Sequence, residues 1–175
     1  MIYIFFAEGF EEIEAVATLD LLRRAGLPVK SVGLGGRTVA GSHGISVVCD
    51  ISEEEFDTSD LTAVILPGGP GTANLEKSRT VQGAIRYACE KDLLLCAICA
   101  APSILGRMGL FKGRPYTCYP GCEEGIEGNY RPDRVVRDKK LITAKGPGCA
   151  VLFGLEIVEA LLGKGKRKTV EAGLQ

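Results

Sequence analysis

Between residues 93 and 105 the chain reads Leu-Leu-Leu-Cys-Ala-Ile-Cys-Ala-Ala-Pro-Ser-Ile-Leu, and this segment narrows the possible folds more than any other. Its first six residues form a continuous apolar run of strand length, as in a strand covered on both faces. Pro102 lacks an N–H and suits only the first turn of a helix. A helix is therefore expected to begin at Cys99 or Ala100 and to fade at Gly109. Cys99 is left on a tight elbow at the carboxyl edge of a sheet. Open α/β sheets bind their ligands at that edge, and a sharp strand-to-helix elbow exposes a nucleophile above it.

The same alternation runs through the rest of the chain. Residues 2–6, 29–34, 45–49, 63–66 and 141–144 are apolar runs of strand length, while 11–25, 81–90 and 149–162 carry helical spacing. In the first helix Ile13, Val16, Leu19, Leu21 and Leu22 mark the apolar side, and Gly26 and Pro28 stop it. Strands and helices alternating over short connections predict an α/β fold, a parallel sheet with helices on both faces. The 175 residues suffice for one such domain, spanning 1–175, and no repeat or linker divides them.

A net charge of −1 gives no electrostatic reason to expect a nucleic acid or membrane partner. The one basic run, from Lys164 to Lys168, reads as a solvated tail. No stretch reaches the roughly 20 apolar residues of a membrane span, and the N-terminus lacks the charged start of a leader peptide. Seven cysteines, an odd number outside any disulfide-scaffold composition, point to free thiols in a reducing cytoplasm.

At the elbow, N–H groups at a helix start would favour a thiolate at Cys99 and could hold an oxyanion. The segment Pro67-Gly68-Gly69-Pro70-Gly71 follows another strand and would bring further N–H groups to the same edge. Cys96 and Cys99, with Cys118 and Cys122, have some of the look of a zinc site or a dithiol couple. Cys96, however, lies within a strand and faces a core, and the second pair has a longer spacing, so no metal is expected. Cys49, Cys89 and Cys149 read as buried or semi-buried thiols. The single histidine, His43, sits in the loop 41–44 far from the elbow in sequence, which supports a Cys–His–Asp triad poorly. Glu11 and Glu12 are expected to cap the first helix and face water. For Glu14 the pattern leaves burial open; a buried carboxyl beside the sulfur would have a raised pKa and could donate a proton.

Five segments in order resemble the ThiJ/PfpI superfamily, in the branch of the parkinsonism-associated deglycase (DJ-one) and its bacterial YajL relatives. They are residues 7–16, Asp20 with Arg23 to Gly26, Leu66-Pro-Gly-Gly69, Ala97-Ile-Cys-Ala-Ala-Pro102 and Lys145-Gly-Pro-Gly148. The resemblance implies a flavodoxin-like three-layer sandwich and a homodimer. It assigns Cys99 as the reactive cysteine, Glu14 as the carboxyl that bonds the sulfur and shuttles a proton, and the Gly69 and Ala100 N–H groups as an oxyanion hole, with Gly68 beside them. The family's histidine falls at Tyr119, whose phenol is a poor base but can donate a hydrogen bond. The implied activity is that of a cofactor-independent glyoxalase or deglycase acting on 2-oxoaldehydes such as methylglyoxal, or on their glycation adducts. The alternatives are a redox sensor or stress-linked chaperone acting through Cys99 oxidation, and a cysteine peptidase or amidase.

Overall fold

In the computed structural model, which describes residues 1–175, the apolar runs become a seven-stranded sheet. The strands are β1 (Ile2–Phe6), β2 (Val29–Gly33), β5 (Ile51–Ser52), β6 (Ala63–Leu66), β7 (Leu94–Ile98), β10 (Val135–Asp138) and β11 (Leu141–Ala144), in the order β10-β11-β7-β6-β1-β2-β5. All pairings are parallel except that of the edge strand β10 with β11. Two small ribbons lie outside it: β3 (Thr38–Ala40) with β4 (Ser46–Val48), and β8 (Pro115–Tyr116) with β9 (Asn129–Tyr130).

The period of two along β1 divides the core. Ile2, Ile4 and Phe6 join one apolar cluster with α1 (Glu12–Arg24) and α5 (Ala150–Ala172). Tyr3, Phe5 and Ala7 join the other, against α3 (Arg79–Glu90) and α4 (Pro102–Arg107). The result is a three-layer α/β sandwich whose middle strands are buried on both faces. From β1 the chain builds outward to β2 and β5, then returns to β6 on the other side of β1. The crevice beyond the carboxyl ends of β1 and β6 is therefore the topological switch point.

Several expectations change. The helix after the elbow starts at Pro102, with Cys99, Ala100 and Ala101 in a turn, because Pro102 takes the N1 position and Ala101 the cap. It ends at Arg107, short of Gly109. The run 45–49 is not a sheet strand: its central part is β4, whose Val48 is solvent-exposed beside an exposed Ile45. A short helix, α2 (Thr72–Lys77), fills the interval after the Pro-Gly segment. Cys89 is exposed. The basic tail is helical and folds back. The chain breaks at Gly163, at φ +83°, which glycine adopts without penalty. Arg167 then pairs with Glu156 at 3.0 Å and Glu159 at 2.9 Å, and Val170 is buried.

Helices α1 and α5 meet where Gly154 carries no side chain; a Cβ there would stand 2.6 Å from Leu21 Cδ1 and 3.2 Å from its Cβ. Gly154→Val should therefore force the two helices apart and cost about 2 kcal/mol of stability, read as a lower urea midpoint at unchanged slope.

Candidate active site

Cys99 ends β7 in the left-handed region, at φ +64°. That conformation costs an L-residue about 1–2 kcal/mol, and two backbone bonds hold it. Its N–H donates to the Ala144 carbonyl at 2.9 Å, extending the ladder with β11, and its carbonyl accepts from the Tyr119 N–H at 2.7 Å. The side chain is 8% exposed, more enclosed than the elbow position alone suggests.

The turn after β6 approaches from one side. A Cβ on Gly68 would lie 2.6 Å from Cys99 Cβ and 2.9 Å from Glu14 Oε2, so no larger residue fits. Gly69, at φ +84°, is wedged against the backbone of Gly9, Phe10 and Glu11. The backbone N–H groups of Gly69 and Ala100 lie close enough to the Cys99 sulfur to favour its thiolate. The Gly68 N–H points instead to the carboxyl, donating to Glu14 Oε2 at 2.7 Å.

From the other side comes the first turn of α1. Glu11 caps the helix, its Oε2 accepting from the Glu14 N–H at 2.8 Å, and its own N–H donates to the Gly68 carbonyl at 3.0 Å. Glu14 is fully buried, its Oε1 has no hydrogen-bond partner, and Cys99 lies near enough for each group to shift the other's ionisation. Burial pushes its carboxyl up, Glu11 adds to this, and the Gly68 and Cys99 bonds oppose it, leaving it at about 7. The Cys99 thiol is also pushed up, to about 12, by burial and then by the ionised Glu14; the Gly69 and Ala100 N–H groups pull the other way. This corrects the expected thiolate. Helix α4 starts three residues past Cys99, so the N–H groups on the sulfur belong to turns, and burial beside a carboxylate outweighs them. Both groups therefore hold protons up to neutrality, and loss of one proton from the pair opposes loss of the second.

Glu11 and Glu12 do not face water; both are buried. Glu12 clamps the loop before β4: His43 Nδ1 lies 2.8 Å from its Oε2, and the His43 N–H donates to Oε1 at 2.6 Å. Burial raises the Glu12 carboxyl, and the His43 and Ser42 bonds reverse this to about 2. Cys96 points into the α1–α5 core, whereas Cys118 belongs to the opposite core. Tyr119 reaches the site by its backbone. Its ring is 50% exposed over Gly146, lining a cleft of about 300 Å³ with Pro120, Lys145, Pro147 and Cys149. A wider cleft of about 600 Å³ opens at the far edge of the sheet, beside Leu95, Leu110 and Arg114.

The Glu14 carboxyl, near 4.5 in an unfolded chain and about 7 here, favours folding in its protonated form. That contribution is complete below pH 4.5 and is lost as pH rises through 7. Glu14→Gln escapes the loss. Its stability relative to wild type should rise between pH 4.5 and 7, by up to about 3 kcal/mol at pH 8, measured as the difference in denaturation midpoints across that range.

The chain matches the model of the DJ-1/PfpI family over residues 1–160. It is 38% identical to protein dj-1beta of Drosophila melanogaster, covering 98% of this chain and 94% of that protein. It is 33% identical to the glutathione-independent glyoxalase DJR-1.2 of Caenorhabditis elegans, over 93% and 89%. The crystal structure of Drosophila melanogaster DJ-1beta superposes with a TM-score of 0.94 at 36% identity, over 99% and 96%. Toxoplasma gondii DJ-1, in a structure described as oxidized, superposes at 0.93 and 30% identity, over 99% and 96%. Family model, relatives and fold agree, and the chain belongs to the DJ-1/PfpI family.

Proposed function

We propose that this protein is a cofactor-independent glyoxalase acting on 2-oxoaldehydes such as methylglyoxal. One observation carries the reading: the buried Cys99 side chain and the buried Glu14 carboxyl crowd the same point at Gly68, and burial keeps the carboxyl proton to about pH 7. In the monoanionic pair, the form with the proton on Glu14 carries the thiolate. That thiolate adds to the aldehyde carbon, and Glu14 delivers its proton to the new oxyanion, giving a hemithioacetal. The Gly69 and Ala100 N–H groups stabilise the negative charge as it moves from sulfur to oxygen. Glu14, now a carboxylate, removes the proton from the former aldehyde carbon to give an enediolate and returns it to the neighbouring carbon, while the hydroxyl proton passes to the adjacent oxygen. The product is a lactoyl thioester, and water releases lactate and the thiol. The relative named as a glutathione-independent glyoxalase supports the choice of substrate.

Oxidation is the second reading, favoured by the same N–H groups. The thiolate attacks a peroxide, giving a sulfenate and water, and Gly69 and Ala100 then bond the sulfur-borne oxygen. The relative described as oxidized is consistent with this chemistry.

Lactate formation from methylglyoxal without glutathione separates the two. Cys99→Ala should abolish turnover and Glu14→Gln should lower kcat roughly a hundredfold or more. A wild-type protein without turnover that gains one oxygen atom by mass with one equivalent of peroxide, and a second with a further equivalent, would favour the second reading.

The dimer implied by the resemblance finds support in the exposed apolar side chains of α1, Ile13 at 58% and Val16 at 43%. We infer that this face pairs two copies. Ile13→Glu should shift the sedimentation coefficient from that of a dimer to that of a monomer.

A further inference from the structure

Glu11 is a buried carboxyl at the site whose one side-chain hydrogen bond goes to the helix backbone rather than to the sulfur. Its bonds reach both halves of the machinery: the carboxyl grips the Glu14 N–H at 2.8 Å, and its own N–H grips the Gly68 carbonyl at 3.0 Å. The Gly68 N–H, in turn, bonds the Glu14 carboxyl at 2.7 Å, which closes a ring running from α1 to the glycine turn and back. The Glu11 N atom also packs against Gly69, where a Cβ would come within 2.6 Å of it. A shift of Glu11 would move the Gly69 N–H that faces the sulfur.

We propose that Glu11 is the positioning residue of this site, tying Glu14 to the glycine turn that holds Cys99 and keeping a fixed negative charge beside the Glu14 proton. The inference deepens the proposed function and rests on Glu14 and Cys99 titrating as a pair. Few charged groups face that proton. Cys99 faces it from the elbow, the turn after β6 offers only backbone, and Glu11 faces it from α1. His43, from the hairpin loop, is occupied by Glu12. The Glu11 charge is the one that raises the Glu14 carboxyl without itself taking part in the transfer. It opposes loss of the proton from the pair, so removing it should let the pair ionise at lower pH.

The test is the pH profile of Cys99 alkylation by iodoacetamide, which requires no 2-oxoaldehyde turnover. In wild type the rate should climb through the first ionisation of the pair, near 7. Glu14→Gln should remove that step and leave one thiol titration at higher pH, since a pair always loses its first proton more readily than either member alone. Glu11→Gln keeps an oxygen to accept from the Glu14 N–H but drops the charge, and should move the step down by about half a unit or more. Glu11→Asp keeps both charge and cap and should leave it in place. A step that stays put in Glu11→Gln, or moves equally in Glu11→Asp, overturns the proposal. A Glu14→Gln profile identical to that of wild type overturns the coupled pair, and the role of Glu11 with it. Loss of methylglyoxal turnover alone, with the profiles as expected, would count against the glyoxalase reading and leave Glu11 in place.

Discussion

The Cys99 peptide, turned left-handed between the carbonyl of Ala144 and the N–H of Tyr119, is the constraint around which the site is built. A free chain would avoid this conformation by about 1–2 kcal/mol. It persists because β11 pairs with β7 up to the elbow and because the segment after β8 passes close enough to donate. Once the elbow is fixed, its side chain stands between two turns, and everything opposite must be small. Gly68 leaves room for the Cys99 Cβ, and Gly69 lets its N–H turn toward the sulfur. The elbow thus dictates glycine at position 68, while Gly69 is dictated by the backbone of residues 9–11 and its own φ of +84°.

How reactive the sulfur is depends on which of three effects is largest. Burial disfavours the thiolate, the ionised Glu14 disfavours it further, and two N–H groups favour it. The first two prevail, so Cys99 is not a free-standing low-pKa cysteine. The same burial acts on Glu14, and ionisation of either group opposes ionisation of the other, so the two titrate as a pair. Such a pair has an advantage for proton relay. The group that receives the proton is already in contact with the atom that loses it, and no water need enter.

Much of this was legible in the sequence, for local reasons. Pro102 marked the end of the elbow, the Leu66-Pro-Gly-Gly69 segment marked a second turn at the same edge, and the apolar run from Ile2 to Phe6 marked a strand of the sheet. What escaped depended on distant partners. Ile45 and Val48 look like core residues and are exposed, because β4 pairs only with β3 and never enters the sheet. Arg167 looked solvated, since nothing local shows that Gly163 turns the chain back toward Glu156 and Glu159. Glu11 looked like a surface cap, since its burial comes from a carbonyl 57 positions later in the chain, that of Gly68.

The first turn of α1 shows how far environment outweighs residue type. Glu11, Glu12 and Glu14 are the same side chain within four positions, and all are buried. Glu12 meets an imidazole, two donors and the loop they anchor, so its carboxylate is held ionised down to about pH 2. Glu14 meets one N–H, a thiol and a neighbouring carboxylate, which do not offset the loss of water, so it keeps its proton to about 7. Glu11 lies between them in role and turns its oxygen to the helix backbone. An ionised carboxyl needs several donors to replace its hydration. Counting donors at each of the three therefore assigns one as an anchor, one as a cap and one as the proton carrier. The helical turn places the carrier against Cys99, because residue 14 is the one that faces the glycine turn, while residue 12 faces the hairpin.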